Sequence, residues 1–90
     1  MNSFVNIGNK AFVNVDKIIC IMAADSHKVY RILERANLKR TNLEVIDTTS
    51  DKETRSMIFL DNNKFCISSV NASILAKRAQ GDITESVDEK

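Results

Sequence analysis

The ninety-residue sequence predicts an α+β fold: a small, largely antiparallel β-sheet domain with one central helix and a short C-terminal helix. Three observations predict it. Several short segments alternate apolar and polar residues or run β-branched, as strands do. One longer segment, Ser26 to Arg40, repeats its apolar residues at helical spacing. Turn residues separate most of the strand-like segments, which favours antiparallel pairing over a βαβ parallel sheet.

Ser3 to Gly8 alternates loosely and ends at Gly8-Asn9-Lys10, a turn signal; Ala11 to Asp16 alternates more cleanly, with Ala11, Val13 and Val15 on one face. The two read as a hairpin. Lys17 to Met22 follows as a near-continuous β-branched run, the pattern of a strand covered on both faces, with Cys20 expected as a small buried hydrophobe. Asp25 or Ser26 caps a helix to about Arg40, whose Val29, Ile32, Leu33 and Ala36 form a core-facing stripe. Beside that stripe run Lys28, Arg31, Arg35 and Lys39, with Glu34 the only acidic residue on the helix. Such a row either covers the edge of the apolar seam with its long stems or offers a single-sign surface to a partner.

Thr41-Asn42 breaks the helix, Leu43 to Thr48 reads as a strand, and Thr49 to Glu53 as a polar loop. Arg55 to Leu60 and Lys64 to Val70 are two further strands joined at Asp61-Asn62-Asn63, whose side chains tolerate the left-handed conformation of a tight turn. Asn71 caps a last helix, Ala72 to Gln80, which Gly81 stops. Residues 1–80 form the single domain. Residues 81–90 carry Asp82, Glu85, Asp88 and Glu89 against Lys90, a net −3 that leaves +4 on the body of a chain of net +1, and read as a disordered acidic tail.

Composition narrows the function by exclusion. With two glycines the chain cannot build a glycine-rich phosphate loop, and Cys20, Cys66 and His27 offer neither a disulfide scaffold nor a zinc cluster. Ser26, His27 and Asp25 are adjacent only in sequence, where successive helical positions point apart, so they make no triad. The longest apolar run, Ile18 to Ala24, is far short of a membrane span, and Met1 to Lys10 has no signal-peptide pattern. No cofactor is expected. What remains is basic side chains on a sheet-rich scaffold, suited to phosphate contacts. The aromatics Phe4, Phe12, Tyr30, Phe59 and Phe65 fall mostly in strand patterns as expected core, which leaves no stacking platform for single-stranded nucleic acid.

Phe4-Val5-Asn6-Ile7-Gly8, Val13-Asn14, Lys17, and Ile19-Cys20-Ile21 leading to Asp25-Ser26 resemble the opening of the RemA family, small bacterial regulators of extracellular-matrix genes. The resemblance resumes at Val45-Ile46-Asp47-Thr48-Thr49, Thr54-Arg55, Ile67-Ser68 and Ala76-Lys77-Arg78. It implies a sheet-rich protomer that assembles into a closed ring and binds DNA through basic side chains, without catalysis. The family's early contact arginine matches Lys17, and its pair of adjacent arginines matches Lys52 and Glu53, one cation kept and one sign reversed. The glycine before that pair is Asp51.

The sequence therefore predicts a non-enzymatic, oligomeric regulator of transcription in the bacterial cytoplasm. It would bind double-stranded DNA through Lys17, Lys52 and Arg55, with Lys28, Arg31, Arg35 and Lys39 as a second basic surface. The alternative is an oligomeric structural or protein-interaction module that kept the assembly and lost DNA.

Overall fold

The computed structural model describes residues 3–81, so the acidic residues of the expected tail lie outside the described residues. Strands β1 (Phe4–Gly8) and β2 (Ala11–Asn14) form the expected antiparallel hairpin. Asn9 and Lys10 at its tip have φ of 52° and 61°, the mirror-image turn geometry whose twist matches that of the flanking strands. Val5, Ile7 and Val13 point inward while Phe4, Asn6 and Phe12 face out. A 3₁₀ turn, Val15–Lys17, follows, capped by the Asn14 side chain, which accepts from the Asp16 amide at 2.9 Å.

The remaining elements are β3 (Ile18–Ala23), α1 (Ser26–Leu38), β4 (Glu44–Asp47), β5 (Ser56–Leu60), β6 (Lys64–Ser68) and α2 (Ala72–Ala79). Asp25 caps α1, its Oδ1 accepting from the Lys28 amide at 2.9 Å. Asn71 precedes α2 without a side-chain capping bond. At the β5–β6 turn, Asn62 and Asn63 take φ of 64° and 60°, as the Asp61-Asn62-Asn63 signal predicts.

The main sheet has the order β3-β5-β6-β4. The pairs β3–β5 and β5–β6 are antiparallel, and β4 joins parallel to β6. The largely antiparallel α+β fold is thus the one the sequence predicts, with a single parallel pair that it does not. That pair exists because α1 returns the chain to the end of the sheet where β3 began. Strands β3 and β4 consequently run the same way with β5 and β6 between them.

The central strands alternate strictly. Ile58 and Cys66 face the hairpin and α2, packing with Val5, Ile7, Val13, Val70 and Leu75. Met57 and Phe65 face α1, packing with Ala24 and Val29, flanked by the half-buried Ile32 and Leu33. Each such side chain, withdrawn from water, contributes roughly 1.5–3 kcal/mol. The one sheet therefore serves two small cores.

Two sequence expectations fail at β3. Instead of being covered on both faces it is an edge strand, with a bulge between Ile18 and Cys20. Ile19 is 70% exposed, and Cys20 is exposed where a buried residue was expected. An apolar run signals a surface that avoids water, but it does not say whether this chain supplies the cover.

Buried serine hydroxyls tie the hairpin and the chain leaving β6 to the sheet. Ser68 Oγ donates to the Ile7 carbonyl and accepts from the Val70 amide, and Ser56 Oγ donates to the Val70 carbonyl at 2.8 Å. Both serines are fully buried, so these bonds satisfy backbone groups that water cannot reach. The approach requires Gly8, whose φ is +106° and where a Cβ would lie 3.0 Å from Val70 Cγ2. Gly81 shares the left-handed backbone, at φ +85°, but a Cβ there meets nothing. Gly8→Ala should therefore lower the unfolding free energy by roughly 1–3 kcal/mol, and by clearly more than Gly81→Ala. Denaturant midpoints at constant slope test this, and equal losses would show that contact with Val70 does not matter.

Candidate nucleic-acid interface

The three cations expected to contact DNA, Lys17, Lys52 and Arg55, do not come together in one protomer. Lys17 ends the 3₁₀ turn, its Nζ 3.6 Å from Asp61 Oδ2 at the β5–β6 turn. Arg55 immediately precedes β5, at the other end of the β3–β5 pair, and is fixed by backbone bonds from Ala24 N to Arg55 O and from Arg55 N to Ser68 O. About 20 Å of strand separates Arg55 from Asp61. Arg55 faces Glu53 at 3.7 Å. Both ion pairs are exposed, so each is weak, but a phosphate at Lys17 or Arg55 must compete with a carboxylate already there.

Lys52 belongs to the loop between β4 and β5. That loop is built on Asp47, whose Oδ1 accepts from the Thr49 amide at 2.8 Å and from the Thr49 hydroxyl at 2.7 Å. These bonds, the hydroxyl's first, hold the Asp47 carboxyl below its usual range. Thr48 is buried, its hydroxyl donating to the Ile67 carbonyl at 2.7 Å, so the loop leaves the sheet in a fixed direction. Ser50 and Asp51 then take φ of 54° and 68°. The Lys52 amide returns to the Thr49 carbonyl, and the side chains of Lys52 and Glu53 are left in solvent.

Along α1 the pattern differs. Lys28, Arg31, Arg35 and Lys39 are all exposed, and none forms an ion pair among the described residues. Lys28 and Arg31 share with Arg55 a shallow depression of about 500 Å³, rimmed by Asp25 and Asn71. Lys28, Arg31 and Arg35 line a second of about 220 Å³. The cations thus form a continuous line from Arg55 along the helix, with Lys39 one turn beyond Arg35. The Asp25 carboxyl is held below its usual range by the Lys28 amide, and also by the nearby charges of His27 and Arg31. The sequence sets Arg55 and the helix row on separate surfaces. No spacing signal could have joined them, because the contact spans two elements and depends on how β5 meets the start of α1.

Other candidates resolve simply. His27 is exposed on α1, and burial pushes the Cys66 thiol up, away from reactivity. The described residues hold no group of three or more potential metal ligands, and none of their helices is long and apolar enough to cross a membrane. The aromatic expectation needs correction. Phe4, Phe12 and Tyr30 are exposed: the hairpin turns Val5, Ile7 and Val13 inward and its phenylalanines therefore outward, and Tyr30 lies on α1 outside the apolar stripe. Only Phe59 and Phe65 pair as core rings, 5.4 Å apart.

Comparison with known proteins gives the family. The family described as RemA-like, extracellular matrix regulatory protein A-like, matches residues 4–79. The chain belongs to the RemA-like family. Among its relatives, a protein of Geobacillus kaustophilus named "Putative regulatory protein" is 33% identical over 81 residues, covering 90% of each chain. Proteins of the same name from Dictyoglomus thermophilum and Nitratidesulfovibrio vulgaris are 32% and 31% identical, each over 77 residues. The first covers 86% of this chain and 87% of its own, the second 86% of both.

The backbone of the loop suggests a test. Asp51 has the left-handed φ that glycine adopts freely. An ordinary L-residue there costs about 1–2 kcal/mol, less for aspartate, and glycine's added freedom in the unfolded chain returns part of that. Asp51→Gly should raise stability by up to about 1 kcal/mol in thermal or denaturant unfolding. A loss of stability would show that the aspartate side chain holds the loop in a way its backbone does not reveal.

Proposed function

We propose that this RemA-like protein is a non-enzymatic regulator that works as a closed homo-oligomer on double-stranded DNA inside the bacterial cell, gripping phosphates and not base edges. The observation that supports it is the line of cations Arg55, Lys28, Arg31, Arg35 and Lys39, four of which form no ion pair among the described residues. Side chains left unneutralised on one rigid helix suit a polyanion, since each phosphate neutralised releases counterions. The helix is 13 residues long, about 20 Å, enough to follow several phosphates. Arg55 begins the line, and Lys52, exposed in the β4–β5 loop, precedes it. Lys17, at the far end of the sheet, is not part of it.

Oligomerisation multiplies a modest contact. Each protomer repeats the same line, so weak individual grips combine into avidity. The alternative, an assembly that has lost DNA, draws on the loop: Asp51 and Glu53 set negative charge beside Lys52 and Arg55.

Light scattering should return a mass several times 10.1 kDa. In mobility-shift titrations with duplex DNA, Arg31→Ala combined with Arg35→Ala should weaken binding at least tenfold, and Lys17→Ala should do little. Glu53→Arg should tighten binding, because it removes the competitor of Arg55 and adds a cation. Unchanged affinity in the helix variant, with the oligomer intact, would reject the helix as the contact. No duplex binding by the native protein would favour the interaction module.

A further inference from the structure

Among the described residues the main sheet ends on both sides in a strand with no neighbour, β3 at one edge and β4 at the other. Proteins that stay monomeric blunt such edges with lysine, proline or an inward-pointing charge. Strand β3 has a bulge, but no charge or proline occurs from Ile18 to Ala24. Its Ile19 and Cys20 are exposed, as are Val45 and Ile46 on β4. The β3 edge is apolar, and the β4 edge sets Val45 and Ile46 between Glu44 and Asp47, all four exposed.

Their directions match. Because β3 opposes β5, β5 opposes β6, and β4 runs with β6, the two edges point the same way. A second copy's β3 laid along β4 therefore continues the sheet as a parallel pair, and each copy still has one edge of each kind to offer.

The register shows what would meet. One row across the sheet is Val45, Phe65, Phe59, Cys20, and the next is Ile46, Cys66, Ile58, Ile21. Continued straight on, these rows set Val45 beside the next copy's Cys20 and Ile46 beside its Ile21, apolar against apolar. The row through Glu44, Lys64 and Leu60 ends at Ile18, so Glu44 would meet the next copy one residue from Lys17. Glu44 has no ion pair within its own chain among the described residues, and Lys17 has only the exposed one with Asp61.

We infer that the β4 edge is the docking site for β3 of a second copy, in parallel, with Val45 facing Cys20 across the seam. This deepens the oligomeric part of the proposed function and rests on it. The contact is head-to-tail, so it closes into a ring when the rotation between copies permits and otherwise extends as a filament.

Cys20 is a native probe in the seam, and Val45→Cys supplies its partner. A disulfide needs Cα atoms within about 7 Å, so only directly apposed positions link. Mild oxidation of the Val45→Cys protein should give a ladder beyond the dimer on non-reducing gels, in multiples of 10.1 kDa. The native protein, and Val45→Cys combined with Cys20→Ser, should give none. A Cys20-linked dimer of the native protein would overturn the seam by showing β3 against β3. Failure to link in Val45→Cys, with light scattering still reporting an oligomer, would overturn the seam and leave oligomerisation standing. A monomeric native protein would reject both. Ile19→Arg guards against a misfolded Val45 variant: with circular dichroism unchanged, its mass should fall to that of one chain, and an unchanged mass counts against the seam.

Discussion

Burial of β5 and β6 on both faces is the constraint from which the rest of the structure follows. Met57 and Phe65 require α1 on one side; Ile58 and Cys66 require the hairpin and α2 on the other. A chain this short has few apolar residues for two cores, so each must be closed with economy. Buried hydroxyls meet that need on the hairpin side: Ser68 holds the hairpin backbone at Ile7, and Ser56 holds the chain leaving β6 at Val70. Both satisfy polar groups brought inside. On the other side α1 supplies the cover with a single stripe, which leaves its remaining surface free to carry charge.

The same constraint sets where function can reside. Once the covering elements are spent on the central strands, the outer strands have neighbours on one side only, and the far flank of α1 has none. The β3 edge is apolar, the β4 edge exposes Val45 and Ile46, and the helix flank is cationic. Apolar edge residues are suited to another protein surface, and cations without an ion pair among the described residues to phosphate. In the proposed function, assembly and polyanion binding therefore occupy different parts of the molecule and need not compete.

Local chemistry made much of this legible. Asn9-Lys10 and Asn62-Asn63 announced their turns because few residues accept positive φ there, and Asp25 announced the start of α1. The helix stripe gave both Val29 and its neighbours as core and Lys28 to Lys39 as an exposed row. What could not be read depends on distant partners. Nothing near Glu44 to Asp47 says that it pairs with β6, since the bonds come from residues some twenty positions away. Cys20 looked buried because a β-branched run reads alike whether its own chain covers it or not. Arg55 gave no sign that it adjoins Lys28 and Arg31, and Lys17, grouped with it by resemblance, stands at the opposite end of the sheet.

The salt dependence of duplex affinity tests the central claim most directly. If the cation line grips phosphates, the logarithm of the binding constant falls linearly with the logarithm of salt concentration, by about 0.9 for each phosphate neutralised, summed over the protomers engaged. A slope of several units, indifferent to duplex sequence, is the predicted result. Binding that persists unchanged as salt rises would contradict it, and would mean that DNA is held by contacts other than the charge along α1.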